Sequence, residues 1–188
     1  ATTVAVAAAV LAIAVTITSR ASQTGHGPFS SMYEFALAFA LGIIAAGIAF
    51  RWRYQATSVL SMSLVIALLL LIFARVKYAP PNPLVPALQQ STLLSVHVAS
   101  AVVAYGTLTI GFGASLMYVI QARRQTIWLP DAETLDLMSY QSVMVGFPFL
   151  TLVIVLGAIW ADIAWGRYWG WDPKENGALL IVLWCAAI

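Results

Sequence analysis

Tryptophan is concentrated in one short part of this sequence. Aromatic belts at the membrane surface are the usual role of tryptophans near helix ends, but a belt does not require a high density. Indole faces separated by glycines suit a planar hydrophobic ligand, since glycine lets backbone and ligand approach closely. Four of the seven tryptophans lie within twelve residues, and two glycines separate three of them: Trp160, Trp165, Gly166, Trp169, Gly170 and Trp171. This pattern predicts a site for a planar ligand at the water boundary, with a simple belt as the alternative.

The residues after these tryptophans have the pattern of a helix start. Asp172 is expected to be the N-cap, Pro173 the first helical residue and Glu175 the third. Such a start directs backbone N–H groups and a positive dipole end towards the tryptophans, which favours an anionic group such as a propionate. Arg167 and Lys174 would add positive charge, although each could equally be an ordinary interfacial cation.

The sequence contains two histidines. Small residues follow His97 at helical spacing (Ser100, Ala101 and Ala104), a pattern typical of close helix packing. An ionisable residue within a span is nevertheless a functional candidate, and neutral imidazole is a common axial ligand of haem iron. The residues alone leave both interpretations open. His26 lies in a turn-rich loop and is more typical of a solvated residue.

The composition shows that membrane helices must position these residues. The 188 residues are 62% hydrophobic and 9% charged, with a mean hydropathy of +0.91, whereas soluble domains are about 45–50% apolar and about 25% charged. This excludes a soluble enzyme, a nucleic-acid-binding protein and a disordered tail. The net charge of +2 does not argue for an anionic partner, and the single cysteine, Cys185, excludes an internal disulfide.

Six apolar stretches separated by short charged segments predict six helices, because about 20 apolar residues cross a bilayer and helices satisfy the backbone there. We predict one all-α integral membrane domain over residues 1–188, a polytopic bundle of about six transmembrane helices with the last one truncated. The predicted spans are 2–19, 33–50, 57–76, 91–121, 142–161 and 177–188. Residues 131–141 are expected to form a short interfacial helix. Ser31 and Glu34 have the spacing of a capping box.

The Lys and Arg residues of the loops indicate which side of the membrane each loop occupies. The loops 51–56 and 122–141 carry four Lys and Arg residues, and the other three loops together with Arg75 at the end of the third span carry five, so the positive-inside rule does not decide. Because the four occur in tight pairs, we place loops 20–32, 77–90 and 162–176 outside. Two crossings separate the last two of these loops, so His97 and the tryptophans are expected at the same membrane face.

The string WGRYWGWDPKENGALLIVLW resembles the tryptophan-rich WWD signature of haem-handling membrane proteins, most closely that of the CcsA (ResC-like) cytochrome c biogenesis proteins. GHGPFSSMYEF and LVPALQQSTLLSVHVASAVVAYG also resemble segments of this family, and together the three cover most of residues 24–184. Where many members have a bulkier pair, this chain has Asn176 and Gly177.

The resemblance implies that loop 162–176 faces the bacterial periplasm, in the inner membrane, and binds haem b. His97 would be the first of two external histidines that flank the haem, the second being expected beyond Ile188. The residues to which a haem-binding role is carried over are His97, Trp165, Gly166, Arg167, Trp169, Gly170, Trp171, Asp172, Pro173, Lys174 and Glu175.

The resemblance also implies an activity. The family joins haem vinyl groups to the cysteine thiols of a C-x-x-C-H motif in apocytochrome c, together with a CcsB-type (ResB-like) membrane partner. We therefore expect a component of a cytochrome c synthase (haem lyase). The alternatives are a haem export or delivery protein that loads a chaperone, a b-type electron-transfer protein, and a membrane protein that binds no haem.

Overall fold

The described part of the chain forms six helices. The structure is a computed structural model, and it describes residues 2–25, 27, 31–81 and 91–187. No strand occurs among these residues, which confirms the all-α prediction. The helices are α1 (Thr2–Thr24), α2 (Met32–Tyr54), α3 (Thr57–Val76), α4 (Ser91–Arg124), α5 (Ala132–Trp165) and α6 (Pro173–Ala186).

Five of these helices, α1 to α5, are long and apolar enough to cross a membrane. Helix α6 has 14 residues, fewer than the roughly 20 that a full crossing needs. The length and apolar character of the other five confirm a multi-pass membrane bundle. His26 and most of the proline-led segment before α4 lie outside the described residues.

The predicted interfacial helix at 131–141 is wrong, because these residues form the first turns of α5. The Asp131 carboxylate caps this helix by accepting hydrogen bonds from the Thr134 N–H (2.8 Å) and hydroxyl (2.9 Å). Leu135 and Met138 are fully buried in a cluster with Ile110 of α4. At about 1.5 Å per residue, a 34-residue helix is about 51 Å long, so α5 extends well beyond a bilayer core of about 30 Å.

The bundle is centred on α4 and α5, which pack along each other, with α2 against α3 and α4 and with α6 against α5. Glycines allow close approach at these crossings. A Cβ on Gly106 of α4 would lie 3.0 Å from the carbonyl oxygen of Gly42 on α2. Small residues at helix contacts are typical of membrane bundles, where packing replaces the hydrophobic effect between helices.

Helix α1 is held to α2 by a buried ion pair. The Arg20 guanidinium lies 2.9 Å from the Glu34 carboxylate, and both side chains are almost fully buried. Arg20 also donates a hydrogen bond to the carbonyl of Ala79, 3.0 Å away. Ser31 accepts a hydrogen bond from the Glu34 N–H, as predicted for a cap, but the Glu34 carboxylate binds Arg20. The prediction missed the ion pair because it placed Arg20 in a loop, whereas α1 continues to Thr24.

Candidate ligand-binding site

A cavity of about 540 Å³ lies between α2, α4, α5 and the tryptophan-rich segment (residues 160–171). Ligand pockets usually have volumes of about 300–1,000 Å³. Its lining includes Phe35, Phe39, His97, Tyr105, Gly157, Trp160, Trp165, Trp169, Asp172, Lys174 and Glu175. His97 and the tryptophans therefore lie at the same end of the bundle, as expected from the number of crossings. A second cavity, of about 370 Å³, is lined by residues that include Tyr54, Trp128 and Asp131. None of the predicted site residues is in its lining.

His97 is the seventh residue of α4, about two turns from its start, which is where the sequence placed it. One edge of its ring faces Gly157 of α5: a Cβ on that glycine would lie 3.1 Å from Cε1 and 3.6 Å from Nδ1. Nδ1 is buried and makes no hydrogen bond within the described part of the chain, although the Val153 carbonyl is near the ring. Because Nδ1 is enclosed, Nε2, on the other side of Cε1, is the candidate nitrogen for a ligand in the cavity.

The tryptophans form two edge-to-face pairs. The rings of Trp160 and Trp165 are 4.6 Å apart at 77°, and those of Trp169 and Trp171 are 5.8 Å apart at 86°. Because the rings of each pair are nearly perpendicular, only one ring of a pair can lie parallel to a planar ligand. Trp169 lines the cavity, whereas Trp171 does not and is 69% exposed. The expected set of indole faces is therefore divided between the cavity and the surface.

The segment between α5 and α6 turns twice through the left-handed backbone region. Gly166 ends α5 at a φ of 70° and donates a hydrogen bond to the Asp162 carbonyl at 2.7 Å. Trp171 has a φ of 56°, a conformation that costs a residue other than glycine about 1–3 kcal/mol. The Asn176 side-chain amide donates to the Trp171 carbonyl at 3.0 Å and so holds this turn.

The start of α6 is capped as predicted. Asp172 and Glu175 form a complete capping box, and Pro173 is the first residue of the helix. The backbone N–H groups at this helix start, which were expected to favour an anionic group, bind carboxylates of the chain itself. Asp172 accepts from the N–H groups of Lys174 (2.7 Å) and Glu175 (2.9 Å). Glu175 accepts from those of Gly170 (2.8 Å) and Asp172 (3.1 Å).

Positive charge at this site must therefore come from side chains. Lys174 lines the cavity. The Arg167 guanidinium lies over Gly170, where a Cβ would be 2.7 Å from Cζ, so a larger residue at 170 would displace it. Arg167 is not part of the lining. Among the residues described, neither cation forms a salt bridge, because the one ion pair found is that of Arg20 and Glu34.

The structure brings together only part of the predicted set. The cavity lining includes His97, Trp165, Trp169, Asp172, Lys174 and Glu175 but not Gly166, Arg167, Gly170, Trp171 or Pro173. The sequence prediction missed Phe35, Phe39 and Tyr105, of which the last two form an edge-to-face pair at 5.9 Å. The spacing of Phe35 and Phe39 places them on one helix face, but this pattern is also typical of ordinary packing.

Comparisons with known proteins identify the family. The family model described as cytochrome C assembly protein matches residues 29–188. The cytochrome c biogenesis protein CcsA of Prochlorococcus marinus (strain MIT 9301) is 32% identical over 94% of this chain and 67% of its own length. That of Porphyra purpurea is 29% identical over 94% and 70%, respectively. That of Chlamydomonas reinhardtii is 37% identical over 86% and 48%.

The chain thus spans about two thirds of the first two relatives and about half of the third. The match covers the tryptophan-rich segment, His97 and all of α2 to α6. This multi-pass membrane chain therefore belongs to the cytochrome c assembly protein family, and its function lies in cytochrome c biogenesis.

Proposed function

We propose that this chain binds haem b in the cavity and presents it for covalent attachment to apocytochrome c. The observation that carries the proposal is that His97 and the tryptophan-rich segment share one cavity, although most of α4 and most of α5 lie between them in the sequence. Haem in c-type cytochromes is attached at a C-x-x-C-H motif. A protein of cytochrome c biogenesis with an imidazole and indoles around one cavity is suited to hold that haem.

The residues present fit this ligand. The imidazole of His97 would hold the iron, as histidine does in many haem proteins. Aromatic and small side chains of α2, α4 and α5 form the apolar part of the cavity, which suits the porphyrin. Lys174 provides positive charge for the propionates. Among the described residues that line the cavity, His97 is the one histidine, so it is the residue that would bind the iron.

The contribution of this chain to the reaction is positioning. Bound haem supplies vinyl groups, and each cysteine thiol of apocytochrome c adds across one vinyl double bond to form a thioether. Holding the acceptor at a fixed place and angle converts a reaction between two partners into one within a complex, which can accelerate it greatly. We therefore infer a component of a cytochrome c synthase.

We place the cavity at the outer membrane face, which is the periplasmic face in a bacterial inner membrane, with a CcsB-type protein as the membrane partner. The indoles of Trp165 and Trp171 are exposed, so an apocytochrome segment could reach this surface, and this supports the proposal. Labelling of a cysteine introduced at Tyr168 by an impermeant maleimide tests the sidedness, and labelling only from the cytoplasmic side would contradict it.

Replacement of the proposed ligand tests the site directly. We expect His97→Ala in the full-length protein to lose most of its co-purifying haem, measured as haem per protein after pyridine extraction. Ser100→Ala is the matched control, because the Ser100 hydroxyl bonds only to the Val96 carbonyl within α4 and does not line the cavity. Unchanged haem content and cytochrome c maturation in His97→Ala would reject the ligand role.

Haem delivery without attachment is the second candidate. The described lining of the cavity contains no serine, threonine or cysteine, a feature that a delivery protein would share. Incubation of the haem-loaded, purified protein and its membrane partner with a C-x-x-C-H peptide separates the two functions. Formation of a peptide–haem thioether supports the synthase, whereas transfer of unmodified haem supports delivery.

A further inference from the structure

The His97 ring occupies space that a missing side chain on α5 leaves open. Gly157 lies in the interior of α5 and lines the cavity beside the imidazole. A Cβ at this position would be 3.1 Å from Cε1 of His97, which is closer than an ordinary van der Waals contact of 3.4–4 Å. An alanine would therefore push the ring away from α5 by a few tenths of an ångström.

The orientation of the His97 ring depends more on packing, and less on a hydrogen bond, than is usual for a metal-ligating histidine. Metal-ligating histidines almost always donate their second ring N–H to an oxygen, which fixes the ring orientation. Nδ1 of His97 is buried, and no hydrogen bond of ordinary geometry satisfies it in the described structure, while the Val153 carbonyl, one turn before Gly157 on α5, acts on the ring as a weaker backbone partner. The absence of a side chain at 157 allows the imidazole to lie close to this carbonyl and to the α5 backbone.

We propose that Gly157 is a positioning residue for His97: it lets the imidazole pack against α5 with Nδ1 enclosed and Nε2 directed to the ligand. This inference rests on the proposed role of His97 as an iron ligand. Because His97 and Gly157 both line the cavity, we expect a ring displaced from α5 to change the position of Nε2 within it. Binding groups must be held within about 0.5 Å of their productive position, so a small displacement is enough to weaken the bond to iron.

The test compares alanine at two glycines of the same helix contact. We expect Gly157→Ala in the full-length protein to bind haem about tenfold more weakly, the lower end of the effect of removing support from a metal-ligating side chain. The high-spin fraction of the remaining haem should rise. Gly146→Ala is the matched control, because its Cβ would lie 2.8 Å from Cγ of Leu108 on α4, a closer contact that does not involve His97. Similar haem loss in both variants would overturn the proposal.

A double-mutant cycle distinguishes positioning from general damage. If Gly157 acts through His97, adding Gly157→Ala to His97→Ala should have no further effect on haem content, because the ring that it displaces is gone. A further loss by the same factor would contradict the inference. If Gly157→Ala alone does not accumulate in the membrane, the double variant should restore accumulation, and failure to do so would also contradict it.

The two proposals fail in different ways. An unchanged haem content in His97→Ala rejects haem ligation by His97, and the role of Gly157 falls with it. Haem loss in His97→Ala together with wild-type binding and spectra in Gly157→Ala rejects only the positioning role.

Discussion

At the scale of single residues, the site contains one energetically unfavourable backbone conformation in a residue other than glycine, that of Trp171. Its left-handed conformation directs the indole outwards, at right angles to Trp169. Two contacts from α6 hold the turn: the Asn176 amide binds the Trp171 carbonyl, and the Glu175 carboxylate binds the N–H of Asp172. The first turn of α6 therefore fixes the end of the tryptophan-rich segment.

The role of Asn176 leads to a specific prediction. Removing one hydrogen bond costs about 1 kcal/mol, so Asn176→Ala should increase the open population of this turn roughly fivefold. Limited chymotrypsin digestion of the membrane protein in detergent should cut at Trp171 correspondingly faster. Alanine is a better helix former than asparagine, so faster cutting would not result from a weaker helix. A rate equal to that of the wild type would contradict the role of this hydrogen bond.

The sequence predicted the cap of α6 but not the part played by Asn176. The capping box depends on residues three positions apart in a regular helix, and this spacing can be seen directly in the sequence. The bond from Asn176 reaches back five residues across a left-handed turn. Its existence depends on the φ angle of Trp171, which tryptophan rarely adopts, so sequence preference argues against it.

At the scale of elements, α5 differs most from its sequence prediction. Three acidic residues near its start suggested a separate helix at the membrane surface. In the structure, Leu135 and Met138 lie in the bundle core and the acidic Asp131 and Glu133 occupy the cap and the first turn. The charged Asp131 and Glu133 are exposed. The pattern of charge could not show that the helix continues without a break, because that depends on packing against α4.

The cap of α5 gives a prediction about pH. Hydrogen bonds from the Thr134 N–H, and then from its hydroxyl, lower the pKa of Asp131 below its usual value. A lowered pKa in the folded state means that the cap contributes stability above the ordinary aspartate pKa and loses it as the pH falls through the lowered value. We expect protection against amide hydrogen exchange at residues 132–135 to decrease over this acidic range.

Asp131→Asn is the informative variant, because asparagine caps helices about as well as aspartate but does not titrate in this range. It should retain protection at neutral pH and abolish the decrease in acid. A variant with the same acid-dependent loss as the wild type would show that another group is responsible.

At the scale of the whole molecule, a polar cluster connects parts of the chain that are far apart. Arg20 joins α1 to Glu34 of α2 and to the Ala79 carbonyl after α3, and its guanidinium also lies 4.8 Å from the centre of the Tyr33 ring. Phe35 and Phe39, on the same helix as Glu34, line the cavity. The cluster therefore fixes the helix that forms one wall of the candidate site.

Breaking this cluster should strongly reduce stability. Removing one partner of a buried ion pair typically costs about 3–5 kcal/mol because the other charge remains buried. We expect Glu34→Gln to lower the melting temperature in detergent markedly, measured by thermal aggregation. The double variant Arg20→Met with Glu34→Leu should recover much of the loss, since an apolar pair leaves no unpaired charge. Melting of Glu34→Gln at the wild-type temperature would contradict this.

The sequence predicted the general arrangement of the molecule better than its interior. Apolar length gave the helices, and the number of crossings placed His97 and the tryptophans at one end. The walls formed by Phe39 and Tyr105 depend on the rotation of α2 against α4, which is set by contacts such as that of Gly42 with Gly106. Contacts between residues that are far apart in the sequence leave no local pattern in it, so they could not be predicted.

The buried ion pair also constrains how the protein enters its membrane. Arg20 precedes Glu34 by 14 residues, so during synthesis the arginine leaves the ribosome first and has no counter-ion. An unpaired arginine is unfavourable in lipid, and Ile13 is the only other α1 residue among those described that is deeply buried. Stable insertion of α1 must therefore wait for α2, and the two helices should integrate as a hairpin.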